Sequence, residues 1–212
     1  MNKKRLLLIV TILFSVFYLV GLFGHLFPET RTLMLEMTPY FLVIFGIIAV
    51  LPVILEKNKG VLFWGTGTMV ITFFLESLGT KTGLVFGPYT YGKTLGFHLL
   101  GVPPVIAFNW LLVVIAAVIF SKLLTRNPIL AALFTGGFAV LFDFIMEPIA
   151  ITYSYWYWHG ADIPVQNYIA WFLIAFTAAL VFGLLKLKVS TKIPMVYVLI
   201  QFIFFISLRF TI

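Results

Sequence analysis

Seven apolar runs, each close to the length a helix needs to cross a lipid bilayer, leave this chain few folds to choose from. They read as Leu6–Phe27, Pro39–Leu55, Val61–Leu78, Val102–Leu124, Pro128–Ile151, Asn167–Leu187 and Ile193–Phe210. About 17–25 apolar residues suffice to span the hydrocarbon core as a helix. The expected fold is therefore all-α, a polytopic membrane helical bundle with about seven transmembrane helices, forming one integral membrane domain over residues 1–212. Composition agrees: 62% of the residues are hydrophobic and 10% are charged, where a soluble domain sits near half and a quarter. No length is left over for a separate soluble catalytic domain.

The charged residues set the orientation. The net charge of +7 raises the question of nucleic acid, but the basic residues alternate between loops instead of gathering on one face. Ten fall on one side, from Lys3, Lys4 and Arg5 through Lys57, Lys59, Lys122 and Arg126 to Lys186, Lys188 and Lys192. Four fall on the other: Arg31, Lys81, Lys93 and Arg209. The positive-inside rule places the first set in the cytoplasm. The N-terminus is then cytoplasmic, the C-terminus is outside, and the expected location is the cell membrane, as a multi-pass protein. The first run reads as a span and not as a cleaved leader, because it is longer than a leader's apolar region and Gly21-Leu22-Phe23-Gly24-His25 offers no cleavage site.

Three acids interrupt the apolar runs: Glu76, Asp143 and Glu147. Carboxyl groups are expensive in hydrocarbon and mark functional sites by default. Thr68, Thr72 and Glu76 are spaced by four, and so are Asp143 and Glu147, so each set shares a helix face. Pro148 follows at once; inside a helix it deprives the Phe144 carbonyl of its donor, and a freed carbonyl beside two carboxyls suits a site. With Asn109 and Asn167, these acids occupy similar depths in four helices. The expected result is one polar pocket toward the outer leaflet, roofed by two aromatic loops, Gly79–Gly101 and Thr152–Gln166. Those loops supply Tyr89, Tyr91, Trp156 and Trp158, and Trp171 lies below. Structural alternatives exist for each group, since polar side chains also glue helices together and aromatic rings also form interfacial belts.

A carboxyl buried among apolar groups can keep its proton, and two held close divide into an acid and a base. Aromatic faces stabilise cations. Together they are suited to protonating a carbon–carbon double bond. Other chemistries lack support. There is no cysteine for a disulfide, thiolate site or nucleophile, and no phosphate-binding loop, dinucleotide fingerprint or zinc-protease motif occurs. His25, His98 and His159 fall at outer ends or in outer loops and show no metal-like spacing, so neither a metal nor another cofactor is expected. The last span has no Lys for a retinal Schiff base.

Two blocks of residues resemble a known family. The first is Glu76-Ser77-Leu78-Gly79, Thr82-Gly83, Phe86-Gly87, Tyr89-Thr90-Tyr91 and Gly101-Val102-Pro103; the second is Asp143, Glu147-Pro148, Trp156-Tyr157-Trp158, Ile163-Pro164 and Asn167 to Trp171. Both are similar to the signatures of the carotenoid biosynthesis membrane protein family, of the CruF-type carotenoid 1,2-hydratases. Asp162 and Ala170 stand where that pattern commonly has Gly. The resemblance implies a cofactor-independent hydratase of the hydro-lyase class. Water would add across the terminal double bond of an acyclic carotenoid through a tertiary carbocation. The partners would be a long apolar carotenoid, water and membrane lipid, with no nucleic acid. Glu76, Asp143 and Glu147 are the candidate catalytic residues. Tyr89, Tyr91, Asn109, Trp156, Trp158, Asn167 and Trp171 are the candidate substrate-binding ones. The competing reading is a lipid or isoprenoid transporter using the same acidic pocket, although no inverted repeat or pair of broken helices is visible.

Overall fold

The computed structural model describes residues 2–160 and 162–211. Among the described residues, seven α-helices make up the bundle: α1 Lys3–Leu26, α2 Pro28–Leu55, α3 Lys59–Thr82, α4 Pro104–Leu124, α5 Pro128–Thr152, α6 Val165–Leu184 and α7 Ile193–Arg209. Six of them are long and apolar enough to cross a membrane. The seventh, α7, has 17 residues and is about 25 Å long at 1.5 Å per residue.

Helix α4 is the axis of the bundle. It is apolar on every side, as a helix enclosed by others must be, and every residue from Asn109 to Ile119 is buried. Helices α2, α3, α5 and α7 pack around it. Helix α1 lies at the periphery, with only Val10, Phe14 and His25 buried. The closest pair is α5 with α6, where small residues let the backbones approach. A Cβ on Gly136 would stand 2.8 Å from the Phe172 ring.

The second span begins eleven residues earlier than hydropathy suggests. Helix α2 starts at Pro28, and Phe27 is the only residue between it and α1. Glu29, Arg31 and Glu36 make this stretch read as a loop, yet it has sound helix-start chemistry. Pro28 occupies the first turn and Glu29 faces the positive end of the helix dipole. The Arg31 Nε donates to the His25 carbonyl at 3.0 Å, bracing the corner. Pro39 lies inside α2, not at its start.

The two aromatic loops are not independent connectors. They pair as an antiparallel ribbon, β1 (Tyr89–Tyr91) with β2 (Trp156–Trp158), in the register Tyr89 to Trp158, Thr90 to Tyr157 and Tyr91 to Trp156. Strand side chains alternate, so the ribbon turns Tyr89, Tyr91, Trp156 and Trp158 toward the helices and leaves Thr90 and Tyr157 exposed. Gly83 makes the turn out of α3 possible, since it sits at φ 67° and its N–H caps the Gly79 carbonyl. The ribbon is extended by Gly92, whose N–H donates to the Tyr155 carbonyl at 2.8 Å. At the opposite end of the bundle, the Glu56 carboxylate accepts from the amides of Ser190 and Thr191. Lys122 donates to the Leu187 carbonyl at 2.8 Å.

Two predictions follow from this arrangement. With no native cysteine, single Lys93→Cys and Lys188→Cys variants report topology directly. An impermeant thiol reagent should label the first in intact cells and the second only after permeabilisation. In Gly92→Ala the new Cβ would fall 2.0 Å from the Ser154 carbonyl oxygen, a backbone atom that cannot rotate aside. That variant should separate the ribbon and lose about 1–3 kcal/mol of stability, read as a lower melting temperature in nanodiscs.

Candidate active site

Each glutamate is met by a pair of aromatic donors from one strand. Glu76 projects from the outer end of α3 and is 4% exposed. Its Oε2 accepts the hydroxyl of Tyr91 at 2.7 Å and that of Tyr89, both from β1. Its Oε1 accepts the Trp110 indole N–H of α4 at 2.7 Å. Glu147 projects from α5. Its Oε2 accepts the indole N–H groups of Trp156 at 3.0 Å and Trp158 at 2.9 Å, both from β2. Its Oε1 accepts from the Asn167 amide of α6 at 3.4 Å. Each glutamate therefore accepts three hydrogen bonds, and donors of this kind favour the charged form of a carboxyl group. The ribbon's pairing holds the two groups of donors side by side.

Asp143 is different. It lies one turn before Glu147 on α5 and is 1% exposed. Its Oδ2 accepts from Asn167 Nδ2 at 2.6 Å, while its Oδ1 is buried without a partner. Asn109 Oδ1, on α4, is likewise buried and unpartnered. Buried polar atoms of this kind are uncommon and call for an explanation.

All ten candidate residues line one pocket: Glu76, Tyr89, Tyr91, Asn109, Asp143, Glu147, Trp156, Trp158, Asn167 and Trp171. Its open volume is about 420 Å³ including its mouth. The rings form its walls: Tyr89 packs against Trp158 with centroids 5.1 Å apart, and Trp171 stacks on Trp110 at 3.8 Å. Burial, followed by the charge of Glu76, pushes the Tyr89 and Tyr91 phenols well above their ordinary range. Both therefore remain protonated donors. Trp110 is the residue that sequence reasoning missed. Its signal was present, since a tryptophan inside an apolar span still needs an acceptor for its N–H.

Thr68 and Thr72 share a face with Glu76, as their spacing implies, and lie outside the pocket; their hydroxyls return to the Trp64 and Thr68 carbonyls of their own helix, each at 2.9 Å. One expectation requires correction. The Phe144 carbonyl released by Pro148 does not join the site either. Phe144 faces outward from α5, and Arg209 of α7 donates to its carbonyl at 3.0 Å while the guanidinium lies over the Phe144 ring. The proline's missing donor is replaced from another helix. Among the described residues, no three His, Asp or Glu side chains gather as a metal site needs.

A second cavity adjoins the pocket. It is an apolar groove of about 920 Å³ including its mouth, bounded by α1, α2, α4, α5 and α7. Ile106, Asn109, Met146 and Trp156 line both spaces.

Comparison with known proteins bears on this arrangement. A family model described as carotenoid biosynthesis protein matches residues 37–212, a stretch that contains every residue of the pocket. The chain is also 26% identical over 162 residues to the bisanhydrobacterioruberin hydratase of Haloarcula japonica. That alignment covers 70% of this chain and 55% of the relative, so the chain spans about half the length of the curated protein it matches. No solved structure matches.

The donor sets make a stability prediction. Replacing both Tyr89 and Tyr91 by Phe leaves Glu76 with the Trp110 donor alone. Orphaning a buried acceptor costs about 1–3 kcal/mol, and more when it is charged. The double variant should melt lower than wild type in nanodiscs, while adding Glu76→Gln to it should recover part of the loss. No change in melting for the double variant would contradict the donor assignment.

Proposed function

This chain belongs to the carotenoid biosynthesis protein family, and from that premise we propose that it adds water across the terminal double bond of an acyclic carotenoid end group. The observation that carries the reading is the contrast among the three acids. Two glutamates are held as carboxylates by three donors each, whereas Asp143 keeps one buried oxygen unpartnered beside them. The relative's name, a hydratase of a carotenoid, supports the same chemistry.

In the proposed reaction Asp143 Oδ1 carries the proton. It protonates the less substituted alkene carbon; the π bond breaks, a C–H bond forms, and a tertiary cation is left on the neighbouring carbon. The faces of Trp158, Tyr89 and Trp171 and the negative charges of Glu76 and Glu147 stabilise that cation. Water oriented by Asn109 Oδ1 attacks it, forming the C–O bond. Glu147 takes the proton released, and passes it to Asp143, whose Oδ2 shares the Asn167 amide with Glu147. Alkene and water become a tertiary alcohol with no net electron transfer, so no redox cofactor enters the balance. The apolar substrate reaches the pocket from surrounding lipid, and the protein works in the cell membrane with its N-terminus in the cytoplasm.

The test is expression in a host that makes an acyclic carotenoid, with pigments analysed by mass spectrometry. Wild type should yield a pigment heavier by one water. Asp143→Asn and Glu147→Gln should each lower its formation about 10²–10⁴-fold while the protein still assembles in the membrane. In deuterated water, the product should carry one non-exchangeable deuterium on the carbon beside the alcohol carbon. A hydrated product without that label would rule out the protonation step, and full activity in both acid-to-amide variants would rule out the site.

A further inference from the structure

The groove beside the pocket has two properties that point to its occupant. It opens to lipid, because Phe17, Val20 and Phe41 line it and are 42%, 57% and 38% exposed on the outer surface of the bundle. Yet it also holds polar groups that nothing in the protein satisfies. His25 is 5% exposed and Gln201 is 1% exposed, both line the groove, and His25 Nε2 and Gln201 Oε1 are buried without partners. The His25 Nδ1 lies 2.7 Å from the Gly21 carbonyl. A carbonyl only accepts, so Nδ1 carries the proton and Nε2 is left as an acceptor. Gln201 Oε1 is an acceptor as well. Away from Asn109 Oδ1, which lies at the edge shared with the pocket, these two orphaned acceptors in an apolar space call for a ligand that brings a hydrogen-bond donor on an otherwise hydrocarbon body.

We propose that this groove binds the chain of the polyene substrate, and that His25 and Gln201 present their acceptors to a hydroxyl group carried on that chain, making a hydroxylated polyene the preferred ligand. This rests on the reading of the protein as a polyene hydratase and adds a class of substrate to it. The shared lining, Asn109, Met146 and Trp156, lets a chain seated in the groove direct one end at Asp143 and Glu147. A bare hydrocarbon would fill the same space and leave both acceptors unsatisfied. The groove therefore selects between ligands of equal length by one hydroxyl.

The experiment compares an acyclic polyene hydrocarbon with its monohydroxylated counterpart of the same length. Binding to the full chain in nanodiscs is followed by quenching of tryptophan fluorescence, and hydration of each is measured in parallel. Wild type should bind the hydroxylated polyene about five- to tenfold more tightly, as one neutral hydrogen bond provides. Gln201→Leu and His25→Phe should each weaken that preference, and the double variant should bind the two alike; if the double variant fails to assemble, the two single variants serve in its place. Equal affinities in wild type, or a preference that survives both substitutions, would overturn the inference. Hydration of both polyenes with equal affinities would sink the hydroxyl station and leave the hydratase reading standing. Failure of both polyenes to bind and to be hydrated would overturn both.

Discussion

A carboxylate cannot remain in hydrocarbon without donors, and most of the outer half of this bundle is arranged to supply them. Glu76 and Glu147 draw on Tyr89, Tyr91, Trp110, Trp156, Trp158 and Asn167. The five aromatic side chains are mostly apolar by area and polar at a single atom, and Asn167 is neutral, so together they satisfy the acids without bringing in further charge. A lysine or arginine partner would neutralise each acid but would also need desolvation of its own. The demand also accounts for the loops. Three-residue strands have little stability by themselves, and here the ribbon is held because its inward side chains end on buried carboxylates.

The same demand gives the two halves of the site a common design. Strand β1 and helix α4 serve Glu76, and strand β2 and helix α6 serve Glu147. The antiparallel register sets Tyr89 opposite Trp158 and Tyr91 opposite Trp156, so a displacement of one donor pair is felt by the other. Asp143 stands outside this symmetry, with one oxygen given to Asn167 and one unpartnered. In a site otherwise saturated with donors, such an atom has the freedom that proton transfer requires.

Much of this was legible in the chain. The fourfold spacing of Asp143 and Glu147, the similar depth of Asn109, Glu76 and Asn167, and the aromatic loops were enough to expect one pocket, and those residues do line one. What escaped depends on partners distant in sequence. Tyr89-Thr90-Tyr91 and Trp156-Tyr157-Trp158 alternate over only three residues, too few to signal strands, and their pairing joins positions some 67 residues apart. The start of α2 was hidden because Glu29, Arg31 and Glu36 lower the hydropathy of a stretch whose capping chemistry is helical. The fate of the Phe144 carbonyl was set by Arg209, 65 residues away.

That last contact explains how α5 tolerates its proline directly beside the acids. Pro148 removes the amide that would serve Phe144, a loss worth several kcal/mol if left uncorrected in lipid. Phe144 is 47% exposed whereas Asp143 and Glu147 are each 1% exposed, so the defect lies at a residue on the bundle surface while the carboxyls are enclosed. Arg209 then repairs it from α7 with a charged donor and a ring contact. Glu147 is thus fixed in a helix with one local backbone bond exchanged for a bond to a neighbouring helix. The position of Glu147 becomes tied to the packing of α7 on α5, and α7 is also the helix that carries Gln201 into the adjoining groove. A ligand that shifts α7 through the groove would act, through Arg209, on the turn that holds the acids.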